Sequence, residues 1–209
     1  MKVLLVSATK LEIAILLKNL KKIHSEKNLT TFRFGKHSMD VLVTGVGMTA
    51  AAFHIGKVIN RKYDLAINAG VAGSFKKNIP PGTVVNVERD CFADLGAEDG
   101  GKLIPLKEMG IKRQVSGFRF QVLSLNIKHQ LSTIKRIIEE LPQVKGITVN
   151  TVHGNNSSII KVVKKFHPDI ETMEGAAFFF ACNHEKIPSV QIRSISNYVE
   201  KRNKKKWKT

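Results

Sequence analysis

The sequence has 209 residues, 43% of them hydrophobic, with two cysteines and a formal net charge of +17. Such a length supports one domain with a substantial single core, and the apolar fraction is ordinary for a globular protein; no apolar run approaches the roughly 20 residues of a membrane helix, so no membrane association is expected and a cytoplasmic enzyme-sized domain is. Cys91 and Cys182 lie far apart without metal-ligand spacing, which argues against a disulfide framework or a zinc site and for two reduced, buried thiols.

Lys2 to Ser7 (KVLLVS) predicts a first strand, too short for the apolar region of a signal peptide. Leu11 to Leu20 has helical apolar spacing, with Glu12 in the first turn just past that strand. A lone first-turn acid is either a solvated partner of the helix dipole or a site group. Thr30 to Phe34 and His37 to Thr44 predict a hairpin turned at Gly35 and Lys36, running into Gly45-Val46-Gly47 and a helix over Met48 to Ile59. A strand, a GxG turn and a helix start offer backbone N–H groups to an anion or to sugar and base oxygens, and serve equally as a tight turn alone.

Asp64 to Asn68 predicts another strand, ending in the small-residue segment Ala69-Gly70-Val71-Ala72-Gly73-Ser74, where a flat ligand can approach main-chain groups. Thr83 to Asp90 follows as a strand and Ala93 to Gly101 as an acidic loop. Phe118 to Leu125 reads as a strand, Ile127 to Leu141 as a basic amphipathic helix, Gly146 to Val152 as a strand ending at His153-Gly154, and Asn156 to Phe166 as a helix. His153 is then either a ligand-contacting ring or a satisfied loop residue.

Met173 to Asn183 predicts a helix and Ser189 to Ile195 a buried strand. A helix of about 12 residues climbs about 18 Å and a strand of about 7 returns about 23 Å, so Glu174 and Asn197 finish near one edge. In an open parallel sheet that carboxyl edge is where ligands bind. Strands alternate with helices and neither a repeat nor a linker intervenes, so residues 1–209 are expected to form a single α/β domain, with a frayed basic tail over 200–209.

Glu12, Glu174 and Asn197 at one edge suit hydrolysis through a cation-like sugar transition state. Glu174 meets the positive helix end and accepts bonds from paired hydroxyls, Glu12 takes a proton from water, and Asn197 offers a donor to the leaving group.

Four segments together, Gly45-Val46-Gly47, Asn68 to Gly73, Met173-Glu174-Gly175-Ala176-Ala177 and Arg193 to Asn197, resemble the nucleoside phosphorylase and nucleosidase superfamily over nearly the whole chain. More narrowly, Ala93 to Asp99, Thr148 to Gly154 and Ser196 to Glu200 resemble the futalosine hydrolases, enzymes of an alternative menaquinone pathway. The resemblance implies a single-domain three-layer fold with a central mixed β-sheet flanked by helices. It also implies cleavage of futalosine to hypoxanthine and the dehypoxanthinyl sugar product, without metal or organic cofactor. By the matching motifs Glu12 activates water, Glu174 holds ribose, Met173 packs on the sugar and Asn197 binds the purine. Gly47, Val71, Ala72, Gly73, Val152, His153 and Ser196 complete the substrate-binding set. Arg193 is expected to order neighbouring acids.

Relatives that cleave methylthioadenosine and S-adenosylhomocysteine carry Asp at the position of Asn197. An Asn NH₂ group has two donors for the N7 and O6 acceptors of hypoxanthine, so the amide favours a 6-oxopurine. The alternatives are an adenine nucleosidase or a phosphorylase on the same fold, the latter needing arginines around phosphate, and a non-catalytic, basic nucleic-acid-binding protein. The lysines are spread along the chain, with a cluster only at Lys201 to Lys208, so a nucleic-acid partner is not expected. The family continues into a further helix after Asn197, Lys201 stands where a proline is typical, and this sequence stops at Thr209. An uncovered core and a homo-oligomer are expected from that.

Overall fold

A computed structural model describes residues 1–59, 63–105, 108–109 and 132–201. Lys2–Ser7 (β1) has buried side chains on both faces, as a central parallel strand requires. Leu11–Ile13 is a single 3₁₀ turn and Ala14–Lys18 a short helix, α1. The expected ten-residue helix therefore stops early, because only Ile13 finds a buried place while Leu11 and Ile15 stay exposed.

Lys21–Glu26 (β2), an exposed edge strand, pairs with Leu29–Phe34 (β3), which forms the expected hairpin with His37–Val43 (β4). Met48–Val58 is α2. Leu65–Ser74 (β5) runs straight on through the small-residue segment at which the strand was expected to end. Val84–Arg89 is β6, and the expected acidic loop is a hairpin of Gly96–Asp99 (β7) and Lys102–Pro105 (β8). Ser132–Glu139 (α3) lies within the helix expected over 127–141, whose first residues, like the strand expected over 118–125 and the tail beyond Lys201, fall outside the described residues. Gln143–Thr148 is β9, Asn156–Phe166 is α4, Ile170–Thr172 is β10, Gly175–His184 is α5 and Ser189–Tyr198 is β11.

The main sheet has the order β10-β9-β6-β11-β5-β1-β4-β3-β2, and β10 also pairs with β5. Strands β4, β1, β5 and β11 are parallel, whereas β6 is antiparallel to β11 and β10 to β5. The sheet is thus mixed, and its β5-β11-β6-β9-β10 half closes on itself as a small barrel. Ala72, Val85, Val87, Val144, Ile170 and Ile195 fill that barrel.

Helices cover both faces of the open half. Leu4, Val6, Leu42 and Ala66 pack against Ile55 of α2 and Phe178 and Phe179 of α5. On the opposite face Leu5 and Val41 meet Ile13, while Leu65 and Val190 meet Ile138 of α3. Helix α5 is buried nearly all round, from Gly175 to Phe179 and again at Cys182, as expected of a helix apolar on every side. Both cysteines are free. Cys182 is buried and Cys91 only partly so, and burial next to Asp90 pushes the Cys91 thiol up to about 12. No helix among the described residues is long and apolar enough to cross a membrane.

Candidate active site

The carboxyl ends of β1, β4, β5 and β11 meet at one edge, and β5 and β11 run on beyond the end of β1. Glu12, carried across the end of β1 by the 3₁₀ turn, reaches the overhang. Its Oε2 accepts from Ser7 Oγ (3.0 Å), Thr9 N (2.7 Å) and Thr9 Oγ1 (3.1 Å), and its Oε1 from the Val71 amide (3.2 Å). Four donors fix the carboxylate over β5.

Glu174 was expected in the first turn of its helix; it is the N-cap residue of α5, 6% exposed. Its Oε1 accepts from the Gly47 amide at 2.9 Å. Gly47 caps α2 with φ of 100°, a left-handed conformation that favours glycine. The GxG turn therefore spends this amide on a protein carboxylate and ties the heads of α2 and α5 together.

Arg193 on β11 is fully buried and hydrogen-bonds Asn68 Oδ1 through Nη2, while its Nε has no partner among the described residues. Burial pulls the guanidinium pKa down against the opposing attraction of Glu174, Asp90 and Glu12. The acids expected to be ordered by this arginine attract its charge, while its hydrogen bonds go to Asn68 and Gln191. Gly70 explains how they approach, since a Cβ there would lie 2.8 Å from Glu12 Oε1 and inside contact distance of Arg193 Nη1.

Asn197 stands apart from this group. Gly70 pairs with Arg193 and Ala72 with Ile195, but a bulge at Ser196 shifts the next pair to Gly73 and Asn197. Paired residues share a face and faces alternate along a strand, so the extra residue turns Asn197 to the face opposite Arg193. Ser196 Oγ has its single hydrogen within reach of Asn197 Oδ1 (2.7 Å) and of Ala72 O (3.2 Å), and Asn197 Nδ2 donates to Tyr198 O (2.9 Å). One amide hydrogen is thus already used, where two were expected to face the base.

Gly73 also pairs with Glu171 of β10 on its other side. Buried Glu171 accepts from the His153 amide (2.9 Å) and bonds the His153 ring at Nδ1, so His153 is the satisfied loop residue of the two alternatives, its ring held in place. Asn197 and the Glu171–His153 pair therefore flank Gly73 on one face, two strand spacings or about 10 Å apart, with Val199 Cγ2 packed over the glycine. Val71 and Val152 are exposed beside them, and Met173 is half-buried next to Glu174. The ring of His153 also lines a cavity of about 640 Å³ between β8 and α4, with Lys102, Lys161, Lys164 and Lys165 around it.

The edge thus has a carboxylate half, with Glu12 and Glu174 about one arginine, and an amide half, with Asn197 and His153 about Gly73. Sequence reasoning missed Glu171 and Asp90. Both sit in strands where an acid gives no periodic signal, although Glu171 opens the run that carries Glu174.

The sequence profile of the Phosphorylase superfamily matches residues 2–209. Futalosine hydrolase of Streptomyces coelicolor is 28% identical over 181 residues, 81% of this chain and 71% of its own. Futalosine hydrolase of Acidothermus cellulolyticus is 30% identical over 171 residues, 80% of this chain and 68% of its own. Among solved structures, a methylthioadenosine/S-adenosylhomocysteine nucleosidase from Colwellia psychrerythraea in complex with adenine superposes with a TM-score of 0.75 at 22% identity, covering 96% of this chain and 84% of that one. At that identity the likeness is one of fold.

Proposed function

The chain belongs to the phosphorylase superfamily, and we propose that within it this protein is a nucleosidase that hydrolyses the N-glycosidic bond of futalosine, releasing hypoxanthine. The futalosine hydrolases among its relatives support the reaction, and the geometry supports its parts. Cleavage leaves positive charge on the sugar ring and electrons on the base. Glu12, held by four donors, takes a proton from the attacking water. Glu174, braced by Gly47, accepts from the ribose hydroxyls and offsets the cationic ring, with Met173 against the sugar. Glu174 and Glu12 both attract the charge of Arg193. Across the bulge, Asn197 donates to the base, the main chain of Val71, Ala72 and Gly73 runs beside it, and Val152, His153 and Ser196 flank it.

The observation that carries this reading is the pairing of two carboxylates about buried Arg193 with an amide, in place of an acid, at position 197. A 6-oxopurine needs donors at both N7 and O6, which an Asn supplies once its NH₂ leaves the Tyr198 carbonyl. The experiment is incubation with futalosine, aminodeoxyfutalosine, methylthioadenosine and inosine, with and without phosphate, followed by chromatography of free base. Hypoxanthine released from futalosine without phosphate is expected. Adenine release alone would favour the adenine nucleosidase, phosphate dependence a phosphorylase, and no base at all a non-catalytic protein.

A further inference from the structure

Behind the carboxylates, the closed half of the sheet holds a polar cluster with no role in the steps above: Asp90 at the end of β6, Thr148 on β9 and Gln191 on β11. We propose that Asp90 is a positioning residue for the hydrolysis, setting Arg193 through Gln191 and the head of α5 through Thr148, and so fixing Glu12 and Glu174 relative to one another. This inference rests on the nucleosidase reading.

Bond direction carries the argument. Asp90 is 3% exposed, and its Oδ1 accepts from Thr148 Oγ1 (2.9 Å) and its Oδ2 from Gln191 Nε2 (3.0 Å). The Cys91 backbone N–H is a further donor to it. With its amide NH₂ turned to Asp90, Gln191 has Oε1 left to accept from Arg193 Nη2 at 3.4 Å. With its hydrogen given to Asp90, Thr148 accepts from the Ala176 amide at 2.8 Å, in the first turn of α5. A carboxylate that only accepts thus fixes the direction of the bonds at both of its neighbours. The fit leaves no slack, because a Cβ on Gly175 would fall within contact distance of both Gln191 Oε1 and Asp90 Oδ2. The ionisable groups around Asp90 are Arg193, the adjoining Cys91 thiol and, across Arg193, Glu12 and Glu174. Burial raises the Asp90 carboxyl above its usual range despite the bonds from Gln191 and Thr148 and the charge of Arg193.

The substitution Asp90→Asn keeps the shape and inverts one bond. Its NH₂ faces the Gln191 NH₂, and turning Gln191 over presents a donor to Arg193. The expected result is a fall of about 10- to 100-fold in kcat with a smaller change in KM, the size of effect that misplaced reacting groups produce. Adding Gln191→Glu restores an acceptor to both the new amide and Arg193, so the double variant should recover most of the lost kcat, while Gln191→Glu alone, with two facing carboxylates, should not match it. Wild-type kcat in D90N, or a double variant no better than D90N, overturns the proposal; a cluster that only stabilised the fold would move the melting midpoint without this recovery. Should D90N not fold, the double variant is compared with Q191E, and a kcat no higher than that of Q191E overturns it. Wild-type turnover is measured first. Its absence counts against the nucleosidase reading, and the relay is then read from melting midpoints, where a double variant more stable than the two singles predict supports it and additivity overturns it.

Discussion

Gly70 and Asn197 make opposite demands of a residue, one for no side chain and the other for a particular pair of donors. Any Cβ at position 70 enters the space between Glu12 Oε1 and Arg193 Nη1. Gly70→Ala should therefore lower kcat by about 10²-fold, the cost of moving reacting groups by about 1 Å, and steady-state kinetics on futalosine checks it. At position 197 the donor is the issue. Asn197→Ala should cut turnover by about 10²-fold, as loss of a leaving-group donor does, with the melting midpoint unchanged because the residue lies at the open end of its strand. Asn197→Asp should raise the ratio of methylthioadenosine to futalosine cleavage, since a protonated acid can both give and receive at an adenine edge. An unchanged ratio would remove the amide as the determinant of base choice. Glu12, Glu174 and Asn197 were legible as candidates for one site because polar residues followed apolar runs. The two-faced arrangement was not, for strict alternation along β11 aligns Asn197 with Arg193, and the bulge at Ser196 that separates them leaves no mark in residue types.

Among elements, those that bury a periodic face were readable. The helices α2 and α4 and the strands β1, β3 and β4 fall within a few residues of their expected bounds. By contrast β2 buries no side chain, β10 has three residues, and β5 continues through its glycines because β11 on one side and β10 on the other supply main-chain partners there. The β1–β4 pair is also fastened by a group with its own pH dependence. Asp40, 2% exposed on β4, accepts from Thr31 Oγ1 (2.6 Å) and Tyr63 Oη (2.9 Å), with Lys2 Nζ at 3.4 Å. Burial alone would raise its carboxyl, but the bonds from Thr31 and Tyr63 and the charge of Lys2 outweigh it and hold the pKa below 3.8. For an acid with a lowered folded pKa, the stabilisation is complete above the unfolded value and is lost as pH falls through the folded one. Asp40→Ala should thus cost about 2–3 kcal/mol at pH 7, as hydrogen bonds to a charged group do, and the gap to wild type should narrow only below pH 3.8. Urea unfolding across that range tests both.

For the molecule as a whole, 34 lysines and arginines face 17 aspartates and glutamates, and the acids nearest the site are taken up inward by Arg193, His153 and main-chain amides. The outward pairs, such as Lys135–Glu139, Arg136–Glu140 and Lys77–Glu200, are solvent-exposed and each contributes about 1 kcal/mol or less. Surface repulsion is therefore left largely uncompensated, and it favours expanded states. Salt should relieve it, because the screening length falls from about 30 Å at 0.01 M to about 10 Å at 0.1 M. The melting midpoint is expected to rise between about 0.01 and 0.1 M NaCl. A flat or falling midpoint would mean that local attractions outweigh the net charge. The same measurement separates the charge from the chemistry: the proposed futalosine cleavage should change far less with salt than any binding of duplex DNA, whose affinity falls steeply as counterions are added.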